Sequence, residues 1–77
     1  MSITILVFGQ LTEITGAQQF VVNDVADTDA LVIQLNKHYP ALAGSKYMMA
    51  VNKELVTANT ALRDNATVAF LPPFSGG

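Results

Sequence analysis

Ala66-Thr67-Val68-Ala69-Phe70-Leu71, running straight into Pro72-Pro73-Phe74-Ser75-Gly76-Gly77, is the stretch on which the reading of this chain turns. Its first six residues read as a strand. Pro72 and Pro73 then each fix φ and remove an N–H, so a sheet ends there and the backbone leaves extended and semi-rigid. Gly76 and Gly77 carry no side chain, so the last carboxylate is expected on a thread thin enough for a narrow slot. From Leu71 to Gly77 that thread reaches roughly 23–25 Å when fully extended. A frayed end is the plain alternative, but termini usually fade out in polar residues rather than in two prolines and an aromatic. The expectation is a presented carboxylate.

Composition narrows what such a carboxylate can serve. Seventy-seven residues make one small domain, and a hydrophobic content of 51 % against 13 % charged suffices for a core with apolar surface left for a partner. A net charge of −2 and a pI near 4.9 provide no basic field, so nucleic acid is not an expected ligand. Neither a cationic leader nor a run of about 20 apolar residues is present. The expectation is therefore a cytoplasmic protein with no membrane partner. There is no cysteine. Disulfides, thiolate metal sites and a thiol or persulfide on this chain are excluded, so any sulfur or acyl chemistry needs another reactive position, for which the terminal carboxylate is the obvious candidate.

Outward from the tail, the periodicity predicts five strands and one main helix. Residues 2–8 carry Ile3, Ile5 and Val7 on one face and Thr4, Leu6 and Phe8 on the other, as in a central strand covered at least partly on both sides. Gly9 breaks it, residues 10–15 suit a short helical turn, and Gly16 suits a left-handed stop. A second strand, residues 17–22, closes at Asn23-Asp24. Residues 27–39 are the one convincing helix. Asp27 is placed as N-cap, Asp29 lies in the first turn, and Leu31, Val32, Leu35 and Tyr39 form a stripe, with Ile33 off it. Pro40 is expected to end the helix. Residues 46–51 form a third strand, Asn52-Lys53 a turn and Glu54–Val56 a short return, with Leu62 a core plug before the last strand.

The two longest apolar strands are the first and the last. Side by side and parallel at the sheet centre they would bury best, with the helix on one face. That is an α+β fold of the ubiquitin-like β-grasp kind, with a mixed sheet of about five strands. The expected division is residues 1–71 as the domain and 72–77 as an extended tail.

Ala50-Val51-Asn52, Leu55-Val56, Leu62, Asp64, Val68-Ala69-Phe70, Pro72-Pro73 and Gly76-Gly77 together resemble the small, sulfur-carrying subunit of molybdopterin synthase. The Phe-x-Pro-Pro-x-x-Gly-Gly ending is the specific part of the match. The resemblance implies a cosubstrate that is not an enzyme on its own and binds no cofactor. An adenylating enzyme related to the ubiquitin activators would use ATP to activate the Gly77 carboxylate. A persulfide donor would then supply sulfur, giving a thiocarboxylate. The tail would enter the large subunit and pass its sulfur to cyclic pyranopterin monophosphate to build the molybdopterin dithiolene, in a heterotetramer. On this reading Gly77 reacts, while Gly76, Ser75, Phe74, Pro73 and Pro72 occupy the partner's pocket. Phe70 and Leu71 anchor the interface, Phe70 being open to a core reading as well.

Other features have plainer explanations. His38, the sole histidine, sits where a helix C-terminus favours a cation. Asp24, Asp27 and Asp29 are explained by capping and turns. Rival functions are a carrier for thiamine thiazole synthesis, a ubiquitin-like modifier joined to lysines, and an interaction module with an inert tail. Deleting Gly76-Gly77 is expected to abolish every carrier or modifier activity completely. A complementation assay in which the truncated chain still works would leave only the inert-tail module.

Overall fold

A computed structural model describes residues 1–73 of the chain. Strands β1 (Ser2–Val7) and β2 (Gln19–Asn23) are joined by a 3-10 turn over Gly9–Leu11 and a short helix α1 (Thr12–Thr15). The main helix α2 (Thr28–His38) is followed by a second short helix, α3 (Pro40–Ala43). Strands β3 (Met48–Val51), β4 (Glu54–Val56) and β5 (Thr67–Leu71) complete the fold. The sheet order is β2-β1-β5-β3-β4. β1 and β5 lie parallel at the centre, and every other pair is antiparallel. This is the ubiquitin-like β-grasp arrangement expected from the sequence.

Alternation decides the core. Ile3, Ile5 and Val7 from β1 meet Val68 and Phe70 from β5 on the inner face, each no more than 4 % exposed. Leu31 and Leu35 of α2 close over them, with Val22, Val25, Leu11, Leu42 and Leu62 at the margins. Leu62 is the plug expected of it, and Ile33 stays exposed. Asp27 caps α2 as expected, its Oδ1 accepting from the Ala30 N–H at 2.8 Å. A second cap comes from far along the chain. Asn59 Oδ1 accepts from the Asp29 N–H at 2.9 Å, and Thr28 Oγ1 accepts from the Thr60 N–H at 2.9 Å. These bonds tie the loop before β5 to the start of the helix, the first satisfying a donor that a helix N-terminus leaves open and the second a donor of the loop.

Pro40 ends the main helix as expected, α2 stopping at His38 with Tyr39 as its C-cap, but it also opens a helix that the sequence reading did not include. At the first position of α3 its missing N–H costs nothing, and Leu42 is delivered to the core. The third strand begins at Met48, not at residue 46, because Met48 pairs with Leu71 and the next partner would be Pro72, which cannot donate. β1 is covered on one face only. Its outer face, with Thr4 and Leu6, has no helix over it.

The Asn52-Lys53 turn forms as expected, with both residues at positive φ, 49° and 73°. Such a pair is the requirement of a type I′ hairpin turn. Asn tolerates the conformation, and here its Oδ1 also accepts from the Thr67 N–H at 3.0 Å. Lys53 has no such compensation, and a left-handed non-glycine residue costs about 1–2 kcal/mol.

Phe70, placed at a partner interface with a core reading left open, is a core residue. It is 1 % exposed and its ring lies 5.1 Å from that of Tyr47. The strand's alternation turns it inward beside Val68, leaving Leu71 and Ala69 to the outer face. Phe70→Ala is expected to cost about 3–5 kcal/mol, a large share of the ~5–15 kcal/mol typical of a domain. Urea denaturation followed by circular dichroism measures it.

Candidate functional site

The site is built where β5 leaves the sheet. Val7 pairs with Phe70, and the Phe8 N–H donates to the Phe70 carbonyl at 3.0 Å, so the central ladder runs to the last turn before the prolines. Gly9 follows with φ +60° and lies directly against Pro72. A Cβ on Gly9 would stand 2.5 Å from Pro72 Cγ. Pro72 therefore rests on bare backbone, and the chain's exit direction is set by contact as well as by the fixed φ of proline. Pro72 and Pro73 are both exposed and line a groove with Leu11, Ile14, Ala41 and Lys46. Phe74, Ser75, Gly76 and Gly77 lie outside the described residues.

The outer sheet face beside this exit is the feature that reading the sequence missed. In register across four strands, Leu6, Ala69, Ala50 and Leu55 form one row. Two alanine methyls make the floor and two leucines the rims. The row sits in an apolar trough along the outer face of β5, running from Leu71 and Phe8 at the tail end to Asn52 and Lys53 at the hairpin end. From Thr67 to Leu71 it measures roughly 13 Å at ~3.3 Å per residue. Phe8 is 45 % and Leu55 61 % exposed. Rings and leucines left in water around a recessed floor suit a partner's apolar side chain. The signal was present in the sequence as apolar residues on both phases of residues 2–8 and small residues alternating in residues 66–71. Reading those phases as a strand covered on both sides hid it.

Leu71 is the expected anchor that remains available. It is half-buried, lies on this trough and precedes Pro72, so the trough and the tail are continuous. Acid–base groups are scarce here. Lys53 is, among the described residues, the one ionisable side chain lining the trough. Among the described residues no group of three or more His, Cys, Asp or Glu is placed to hold a metal ion. No described helix is long and apolar enough to cross a membrane. His38 is exposed at the end of α2, beside Tyr39 and away from the trough. Among the described residues, the trough therefore offers apolar contact and a single cation.

Comparison with known proteins agrees with this geometry. A family model described as the ThiS family matches residues 5–77. The molybdopterin synthase sulfur carrier subunit of Chlamydomonas reinhardtii is 36 % identical over 83 residues, covering 100 % of both chains. That of Escherichia coli (strain K12) is 35 % identical, covering 97 % of this chain and 99 % of the relative. A solved complex of subunits 1 and 2 of the molybdopterin-converting factor from Helicobacter pylori contains a chain similar to this one. It has a TM-score of 0.71 and 25 % identity, with 100 % of each chain covered.

If the outer face is a surface and no part of the core, Leu55→Ser leaves stability within about 0.5 kcal/mol of the parent. Leu62→Ala, by contrast, costs about 2–5 kcal/mol. Chemical denaturation of both variants checks the contrast.

Proposed function

Because the chain belongs to the ThiS family, we propose that it is the sulfur carrier subunit of a molybdopterin synthase, with Gly77 as its reacting residue. One observation carries the reading. In a chain matched from end to end by such subunits, the central core strand gives way at Leu71 to a diproline exit at the open end of an apolar trough. A rigid body thus holds one end of a short reactive tail, and the trough beside it supplies the docking energy that a bare Gly-Gly terminus lacks.

The chemistry follows from what a carboxylate can do. It is a poor electrophile, so an adenylating enzyme joins it to AMP from ATP and releases pyrophosphate. A persulfide on a donor protein attacks the acyl carbon, AMP leaves, and a second thiol reduces the acyl disulfide to release the thiocarboxylate. This chain has no cysteine, so both thiols belong to other proteins. The large subunit then takes the tail into its own site, where the terminal sulfur attacks the pyranopterin precursor. The chain's part is to present and deliver, and the acid–base groups and phosphate-binding cations are the partner's. The solved pair from Helicobacter pylori supports a large-subunit partner. Pro72 and Pro73 lower the entropic cost of ordering the tail on binding, and Gly76 leaves room where a Cβ would clash.

Conversion of the thiocarboxylated chain tests the proposal. The sample is confirmed by intact mass as one oxygen exchanged for sulfur. It is then mixed with a molybdopterin synthase large subunit and cyclic pyranopterin monophosphate. Molybdopterin is expected in proportion to the thiocarboxylate consumed, two per molecule of product. No product, with the large subunit proven active on its usual partner, would overturn the reading in favour of thiazole synthesis.

A further inference from the structure

Of the four non-glycine residues at positive φ among the described residues, three are Asn or Asp, which tolerate that conformation, and Lys53 is the fourth. It occupies the second position of the two-residue turn between β3 and β4 with φ 73°, where glycine is the favoured residue. Its side chain is exposed, and among the described residues it makes no ion pair and no side-chain hydrogen bond. Nothing in the packing requires a lysine. Backbone strain kept without a structural reason points to function.

Its position says which function. The turn closes the far end of the apolar trough, so Lys53 places a cation at the rim of a surface whose other lining groups are apolar or uncharged. The chain has only four Lys and Arg and a net charge of −2. The other three cations, Lys37, Lys46 and Arg63, do not line the trough, so along this surface an acidic patch on a partner would meet its attraction at Lys53. The opposite end of the trough is Leu71, the last residue before the diproline exit, so Lys53 and Leu71 lie at the two ends of one continuous surface.

We propose that Lys53 is a specificity-determining residue for docking. It pairs with a carboxylate on the large subunit and so sets the register in which the trough is covered and the tail enters. This rests on the carrier reading above and names the partner chemistry that the reading leaves open. A rim charge of this kind acts mainly on the association rate and on partner choice, and its effect is screened by salt.

The test separates the charge from the strain. Binding of the full-length chain to a molybdopterin synthase large subunit is measured by surface plasmon resonance, with Tm recorded in parallel. Lys53→Gly relieves the turn and is expected to raise Tm by roughly 4–8 °C, yet to weaken binding ~3–5-fold at about 0.1 M salt. Lys53→Glu weakens it further, Lys53→Arg restores it, and the differences fade near 1 M salt, where screening acts within ~3 Å. A variant that melts higher and binds more weakly cannot owe the loss to damage. Lys53→Gly and Lys53→Glu binding as tightly as the parent at low salt would overturn the inference. If the parent binds here and delivers sulfur in the conversion assay above, the carrier reading stands alone. A parent that does not bind the large subunit at all overturns both.

Discussion

The parallel pairing of β1 with β5 is the constraint from which the rest of this protein follows. The two strands come from opposite ends of the chain, and Thr4 to Val7 lie in register with Thr67 to Phe70. Parallel strands need a long crossover, which here is everything between residues 8 and 66. Because both are central, their inner residues reach full burial, and α2 has an apolar floor on which to lie. The same pairing fixes where the chain can leave. The ladder ends with the Phe8 N–H on the Phe70 carbonyl, and two residues later the first proline rests against Gly9.

On the carrier reading proposed above, that exit has a mechanical role. A reactive terminus on a free coil would sample many directions and lose much entropy on entering a partner. Here the last core strand, Gly9 and two prolines fix its origin and initial heading. The outer sheet face beside it stays open, because α2 is the only long helix and lies on the inner side. A second helix over Leu6, Ala69, Ala50 and Leu55 would improve burial and close the trough. Exposed Phe8 and Leu55 are the cost of keeping that face available. The stability of so small a domain must then come from one face of its sheet, which explains why Ile3, Ile5, Leu31, Val68 and Phe70 are buried so completely.

Reading the residues in order recovered most of the architecture, and the failures share a cause. The strand and helix periods, the Asp27 cap, the Gly16 stop and the Asn52-Lys53 turn are local, and local chemistry predicts them. Pro40 was legible as a helix breaker but equally as the first residue of a new helix, and the choice depended on whether Leu42 had a core to enter. The true start of β3 depended on Pro72, a residue 24 positions away that cannot donate to it. Asn59 as a second cap on α2 had no signal at all, because a loop residue becomes a cap only when the fold brings it to the helix. Phe70 is the clearest case. An aromatic just before a diproline tail could face either way, and only the register of β5 against β1 and β3 turns it inward.

By itself the sequence determined the set of elements, the absence of thiol chemistry on this chain, the diproline exit and the Gly-Gly ending, since each rests on the intrinsic geometry or reactivity of a few adjacent residues. The tertiary structure decided which apolar face is core and which is surface. It assigned Phe70 to the interior and Leu71 to the trough, and it placed Lys53 at the rim of the surface that the tail leaves from. Alternation along a strand says that two faces differ, but only the sheet's neighbours and the single covering helix say which one meets water.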